Sequence, residues 1–172
     1  MRVQDFKVSV AEILGRPGSY RDIRIEDPLE DVATALARVD GAVAAELRLE
    51  SVVEGVLATG EVHAEATFRC ARCLKELPSG VDVELTELFY GPGHGEGEDD
   101  AYRVTGLDID LEPAVRDAVT LALPLNPVCK QDCKGICARC GKDLNLEGCV
   151  CAADDVDPRW AALDELRERL AQ

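Results

Sequence analysis

Glu61-Val62-His63-Ala64-Glu65-Ala66-Thr67-Phe68-Arg69-Cys70-Ala71-Arg72-Cys73 is the stretch that decides how this chain folds. Val62, Ala64, Ala66 and Phe68 alternate with Glu61, His63, Glu65 and Thr67, the period that turns apolar side chains to one face of a strand and polar ones to the other. Cys70-Ala71-Arg72-Cys73 then breaks the alternation with a spacing that lets two thiolates aim at one point. After Pro78-Ser79-Gly80, which reads as a break, Val81, Val83 and Leu85 alternate against Asp82, Glu84 and Thr86. The cysteine pair is therefore predicted at the tip of a hairpin. Upstream, Leu47 and Leu49 alternate with Glu46, Arg48 and Glu50, and Gly55 and Gly60 read as breaks between strands. An antiparallel meander with one wet face follows.

Outward from this sheet the signals weaken. Residues 1–40 offer a first strand at Phe6–Val10, a turn at Gly15–Gly18 and a short strand at Asp22–Glu26. Residues 91–100, rich in glycine and acid, read as a mobile acidic loop. Asp110 is placed to cap a helix with Glu112 and Pro113 in its first turn; Val115, Ala118, Val119 and Ala122 form its apolar stripe, and Pro124 stops it. This helix is expected to cover the sheet. A second, amphipathic helix is expected after Asp157-Pro158, with Trp160, Leu163, Leu166 and Leu170 at helical spacing.

The predicted fold class is α+β: an antiparallel sheet with a covering helix, extended by a C-terminal cysteine-rich, zinc-ribbon-like module. The expected division is a β-rich domain over residues 1–125 and a metal-binding module with its terminal helix over residues 126–172. The 172 residues, 47% of them hydrophobic, suffice for one core and an appendage. Charges interrupt every apolar run near Met1, so neither a signal-peptide core nor a membrane span is expected, and the predicted location is the cytoplasm.

Eight cysteines in a reducing compartment argue for metal ligation or redox chemistry rather than disulfides. They fall as Cys70-x2-Cys73, Cys129-x3-Cys133-x3-Cys137-x2-Cys140 and Cys149-x-Cys151. Eight soft ligands divide into two tetrahedral zinc sites. The compact division puts Cys137, Cys140, Cys149 and Cys151 on one ion and Cys70, Cys73, Cys129 and Cys133 on the other. A rival groups Cys129, Cys133, Cys137 and Cys140 and leaves Cys70, Cys73, Cys149 and Cys151 together; spacing allows both. Cys133-x3-Cys137-x2-Cys140 also matches the cluster spacing of radical enzymes, but the chain after it is too short for their barrel. A redox pair at Cys70 and Cys73 would want a helix start, whereas this pair joins two strands. Thiolates also serve iron–sulfur clusters, so ligand type alone leaves that alternative standing.

Charge divides the chain in a similar way. A net −15 argues against a protein that coats nucleic acid and points to basic protein partners or a narrow RNA contact. Around the cysteines the sign reverses, because Arg69, Arg72, Lys75, Lys130, Lys134, Arg139 and Lys142 face a single acid, Asp132. Cations there neutralise thiolate charge and are also candidates for contact with RNA phosphate or an acidic partner. His63 and His94 read as solvated. No Ser/His/Asp arrangement, carboxylate pair or phosphate-cradling glycine loop stands out, so no enzymatic role is expected.

Phe68-Arg69-Cys70-Ala71-Arg72-Cys73-Leu74, Asp108-Ile109-Asp110-Leu111, Leu121-Ala122-Leu123-Pro124-Leu125 and Cys129 through Gly141 together resemble the YceD family, the large ribosomal RNA subunit accumulation proteins. The resemblance spans residues 68–151 and is weak over residues 1–60. It implies a non-enzymatic bacterial or plastid factor, with a ribosomal RNA, pre-ribosomal particle or basic ribosomal protein as partner, needed for 23S rRNA accumulation and large-subunit biogenesis. Some relatives keep the first cysteine pair and lack counterparts of Cys137 to Cys151, which implies a separate, optional second site. The alternatives are an acidic, metal-stabilised adaptor that does not touch RNA, and a redox or iron–sulfur protein.

Overall fold

The computed structural model describes residues 2–3, 6–95, 100–151 and 163. They form β1 (Arg2–Val3), β2 (Lys7–Ser9), β3 (Tyr20–Pro28), β4 (Ala37–Ser51), β5 (Gly55–Arg69), β6 (Glu76–Tyr90), β7 (Asp108–Asp110) and α1 (Glu112–Ala122). A five-stranded sheet runs in the order β1-β3-β4-β5-β6, antiparallel except for the two-residue β1, which pairs parallel to β3. β2 and β7 make a separate antiparallel pair. Two compact units result, Met1–Cys133 and Lys134–Gln172. Among the described residues, no helix is long and apolar enough to cross a membrane.

In the first unit the alternation read from residues 61–69 extends across the whole sheet. Ile25, Ala45, Val62 and Val83 follow one another in register across β3 to β6 on the inner face, while Arg24, Glu46, Glu61 and Glu84 occupy the outer face. Onto the inner face pack Ala114, Val115 and Val119 of α1 together with Phe6, Val8, Ile109 and Leu111. Val115, Val119, Leu49 and Ile25 are fully buried, each such side chain stabilising the fold by about 1.5–3 kcal/mol relative to exposure.

The strands are longer than expected, and the differences have local causes. β5 runs straight through Gly60 and β6 begins at Glu76, ahead of Pro78-Ser79-Gly80, so neither cluster is a break. Gly60 is needed because a Cβ there would stand 2.0 Å from the Glu46 carbonyl oxygen of β4. Pro78 is tolerated because β6 is the last strand of the sheet, and an edge strand can turn a position without N–H outward. β3 spans nine residues rather than five, with all nine paired to β4.

Helix α1 starts and stops close to expectation. Asp110 lies one position before the N-cap, Leu111, and its Oδ1 accepts from the Glu112 N–H at 3.0 Å, so it still satisfies an amide that the helix leaves open. At the other end Leu123 turns extended with ψ of 131°, as a residue before proline must. At the described margin of the acidic loop, Arg103 donates to the carbonyls of His94 and Gly95 at 3.3 and 2.8 Å. The amphipathic helix expected after Asp157 falls, apart from Leu163, outside the described residues.

In the second unit Ile136 pairs with Asp143 in an isolated bridge, and the Leu144 N–H reaches the Gly135 carbonyl at 2.9 Å. Asn145 Oδ1 accepts from the Lys134 N–H at 2.9 Å, and Asp143 Oδ1 accepts from the Asn145 N–H at 2.8 Å. These bonds fold residues 134–147 into a small loop with little apolar burial.

Replacing Gly60 with Ala should destabilise the protein by about 2–3 kcal/mol, because backbone rather than a flexible side chain must yield. Gly15→Ala, where a Cβ meets open space at a φ of 72°, should cost only about 1 kcal/mol. Urea unfolding of the two variants separates them; equal costs would contradict the close approach.

Candidate metal centres

The β5–β6 hairpin closes on six residues, Cys70 to Lys75, and its backbone makes the thiols converge. The Cys70 N–H bonds to the Lys75 carbonyl at 2.9 Å, and the Leu74 N–H bonds back to the Cys70 carbonyl at 2.9 Å. This tight turn forces Leu74 to a φ of 61°, a conformation that side chains with a Cβ rarely adopt. It also aims the Cys73 N–H at the Cys70 Sγ, 3.5 Å away.

Cys129 and Cys133 arrive from the chain that follows α1. Past Pro124 that segment runs against the knuckle, and the Ala71 N–H donates to the Pro127 carbonyl at 2.7 Å. Arg72 then reaches over, its Nη1 donating to the carbonyls of Gln131 and Cys133 at 3.0 Å each. The result brings Cys73 and Cys129 sulfurs to 3.6 Å and Cys70 and Cys133 sulfurs to 3.9 Å, with all four within 4.8 Å of one another. Cys70 and Cys133 are buried, and the other two are half-buried.

The second unit repeats the device. Cys137 N–H bonds to the Lys142 carbonyl at 2.8 Å and Gly141 N–H to the Cys137 carbonyl at 2.9 Å, with Gly141 at a φ of 72° where the first knuckle has Leu74. Cys149 Sγ lies 3.4 Å from both Cys137 and Cys140, and Cys151 completes a group within 4.8 Å. Here Cys140 is exposed and none of the four is fully buried. Cys-Ala-Arg-Cys-x-Lys thus occurs twice, at 70–75 and 137–142, a repeat visible in the sequence that identifies the two knuckles as equivalent.

The sulfurs group as 70/73/129/133 and 137/140/149/151, and this geometry fits metal ions. Four thiolates around one ion at about 2.3 Å form a tetrahedron with edges of about 3.8 Å, close to these separations and far longer than a disulfide of about 2.05 Å. Electrostatics points the same way. The Cys73 N–H, with other backbone donors, lowers the Cys70 thiol to about 6, and the Cys140 N–H does the same for Cys137, also to about 6. Cys129, whose proton is held by the Cys133 sulfur, is pushed up to about 12, as is Cys151 by Cys149. Each group readily yields its first proton and withholds its last. A dication among the sulfurs removes that repulsion and lets all four ionise.

The cations expected near the metals are exposed around the cysteine group of their own unit: Arg69, Arg72, Lys75 and Lys130 in the first, Lys134, Arg139 and Lys142 in the second. Lys130 faces Asp132 at 3.7 Å and Lys142 faces Glu147 at 3.5 Å. Arg72 does more than neutralise charge, since it bonds the knuckle to the Cys129–Cys133 turn. His63 lies on the outer sheet face, where Asp82 at 2.6 Å and Glu65 at 3.4 Å raise its pKa above the ordinary imidazole value. The His94 carbonyl serves Arg103.

Leu74→Gly should leave cobalt(II) binding at the first group unchanged or tighter, because it removes a left-handed strain of about 1–2 kcal/mol. Gly141→Leu should introduce the same strain and weaken binding at the second group by about 5–30-fold. Titration of the thiolate-to-cobalt charge-transfer band measures both, and indifference to Gly141→Leu would contradict the shared knuckle geometry.

Residues 58–167 match the family described as large ribosomal RNA subunit accumulation protein YceD. An uncharacterized protein of Mycobacterium tuberculosis is 40% identical over 166 residues, covering 92% of this chain and 80% of that protein. The chloroplastic large ribosomal RNA subunit accumulation protein YCED homolog 1 of Arabidopsis thaliana is 28% identical over 150 residues, 73% of this chain and 46% of that protein. An uncharacterized Bacillus subtilis protein, YlbN, is 30% identical over 107 residues, 61% of this chain and 62% of that protein. No solved structure matches. The family match contains β6, α1 and all eight cysteines, and on that ground the chain belongs to the YceD family of large ribosomal RNA subunit accumulation proteins.

Proposed function

We propose that this protein is a non-enzymatic cytoplasmic factor that binds two zinc ions and is required for accumulation of 23S rRNA, and so for making the large ribosomal subunit. Family membership supports the pathway, and the two groups of four convergent thiols carry the metal reading. Sulfur separations of 3.4–3.9 Å favour a single ion per group. A four-iron cluster would spread its four cysteines over separate irons and hold their sulfurs farther apart. In the first unit the ion would weld the hairpin tip to the segment after α1; in the second, where little apolar surface is buried, it would supply the folding energy itself.

The non-enzymatic reading is supported by what the acidic side chains do. Asp22 holds Arg48 at 2.8 Å, Asp40 accepts from Thr67 at 2.5 Å, and Asp117 accepts from Tyr102 at 2.6 Å, each tying one segment to another. RNA contact is assigned to the exposed cations around the knuckles, Arg69, Lys75, Lys134 and Arg139 among them, where phosphate oxygens would meet the least acidic part of the chain.

Depletion of the protein in its host should lower 23S relative to 16S rRNA and leave a shortage of large subunits in gradient profiles. The wild-type chain should restore both, and a Cys70→Ser/Cys73→Ser chain should not. Normal subunit profiles on depletion would overturn the proposal.

A further inference from the structure

Within the first unit the outer face of the five-stranded sheet carries no covering element among the described residues, since α1 and the β2–β7 pair contribute to the core on the inner face. Its central row is Arg24, Glu46, Glu61 and Glu84, in direct register across β3, β4, β5 and β6. Arg24 pairs with Glu46 at 2.8 Å. Glu61 and Glu84 stand opposite each other, and neither carboxylate has a hydrogen-bond or ion-pair partner among the described residues. Like charges directly opposed on neighbouring strands destabilise a sheet. The flanking rows are closed: Asp22 binds Arg48 through both oxygens, at 2.8 and 3.2 Å, and His63 sits between Asp82 and Glu65. Two open grooves of about 650 and 670 Å³ lie side by side along the central row and share Arg24 and Glu46.

We propose that this face is a docking surface for an extended Lys/Arg-rich segment of a partner protein, laid across the strands so that its cations meet Glu61 and Glu84. Three occupants compete on chemistry. A metal ion is disfavoured because, among the described residues, these carboxylates do not bring three oxygens around one point as the cysteines bring their sulfurs. RNA phosphate is repelled by a row with three carboxylates and one guanidinium. A cationic polypeptide matches the sign, can lie in the open grooves along the row and neutralises an opposition that the isolated sheet leaves uncompensated. The inference adds a protein-binding face to the assembly-factor reading and rests on that reading only in taking the partner to be a protein. Glu61 and Glu84 are not ligands of either thiol group, so the two can fail separately.

The test uses the full, zinc-loaded chain and a fluorescent peptide alternating Lys and Ser, with a Glu/Ser peptide as control, read by anisotropy at low and moderate salt. The Lys/Ser peptide should bind and the Glu/Ser peptide should not. Glu61→Gln/Glu84→Gln should weaken binding about tenfold. Glu12→Gln/Glu30→Gln, the same change of charge at exposed positions off this face, should alter it less than about twofold. The thermal midpoint of the Glu61/Glu84 variant should stay or rise, because the opposed charges are gone, and this separates lost docking from lost folding. Equal weakening by both double variants would reduce the effect to net charge and overturn the proposal. So would failure of the unaltered chain to bind the Lys/Ser peptide, or displacement of that peptide by an RNA oligonucleotide that the Glu61/Glu84 variant no longer binds.

Discussion

Four sulfurs within 4.8 Å at the tip of the β5–β6 hairpin cannot all carry charge unless a cation sits among them, and much of the first unit is arranged around that constraint. Two of the sulfurs belong to the longest hairpin of the sheet and two to the chain after α1. Their meeting requires α1 to end at Ala122, Leu123 to turn extended before Pro124, and Pro127 to accept the Ala71 N–H. Arg72 closes the arrangement through two carbonyls. A metal at this point would therefore do more than fill a knuckle. It would fix where the helix-bearing half of the unit ends on the sheet, at a place where the inner core has tapered to Ala66 and the half-buried Phe68.

The same chain separates two kinds of surface. Around the knuckles, cations gather close to thiolates that would otherwise repel one another. Farther along the sheet the outer face is acidic, with Glu46, Glu61 and Glu84 in one row. Along β5 the charge changes sign within a few residues, from Glu61 in the acidic central row to Arg69 beside the first knuckle.

Much of this was legible in the sequence because the strands obey a period of two where it matters. The alternation at 61–69 and 81–86 placed the hairpin, its wet face and the knuckle at its tip, and the stripe of Val115 and Val119 placed the helix. Gly60 and Pro78 misled, since both residues read as punctuation while here one admits a neighbouring backbone and the other sits on an edge. The length of β3 was hidden because charged Arg21, Asp22 and Arg24 alternate with only Ile23 and Ile25. The partition of the cysteines was ambiguous by spacing: the repeated Cys-Ala-Arg-Cys-x-Lys gives each ion one knuckle but suits both divisions, and which of the Cys129/Cys133 and Cys149/Cys151 pairs joins which knuckle is decided only by the fold. The outer-face row could not be read at all, because Glu46, Glu61 and Glu84 meet only through strand register.

X-ray absorption at the metal edge of the natively purified full chain tests the central claim most directly. The account predicts a zinc edge, two equivalents per chain, and a shell of four sulfurs at about 2.3 Å with no nitrogen or oxygen neighbour. Changing Cys137 to Ser should remove one equivalent and leave the remaining ion with four sulfurs. An iron edge with metal–metal scattering, or a single ion with a mixed sulfur and nitrogen shell, would contradict it.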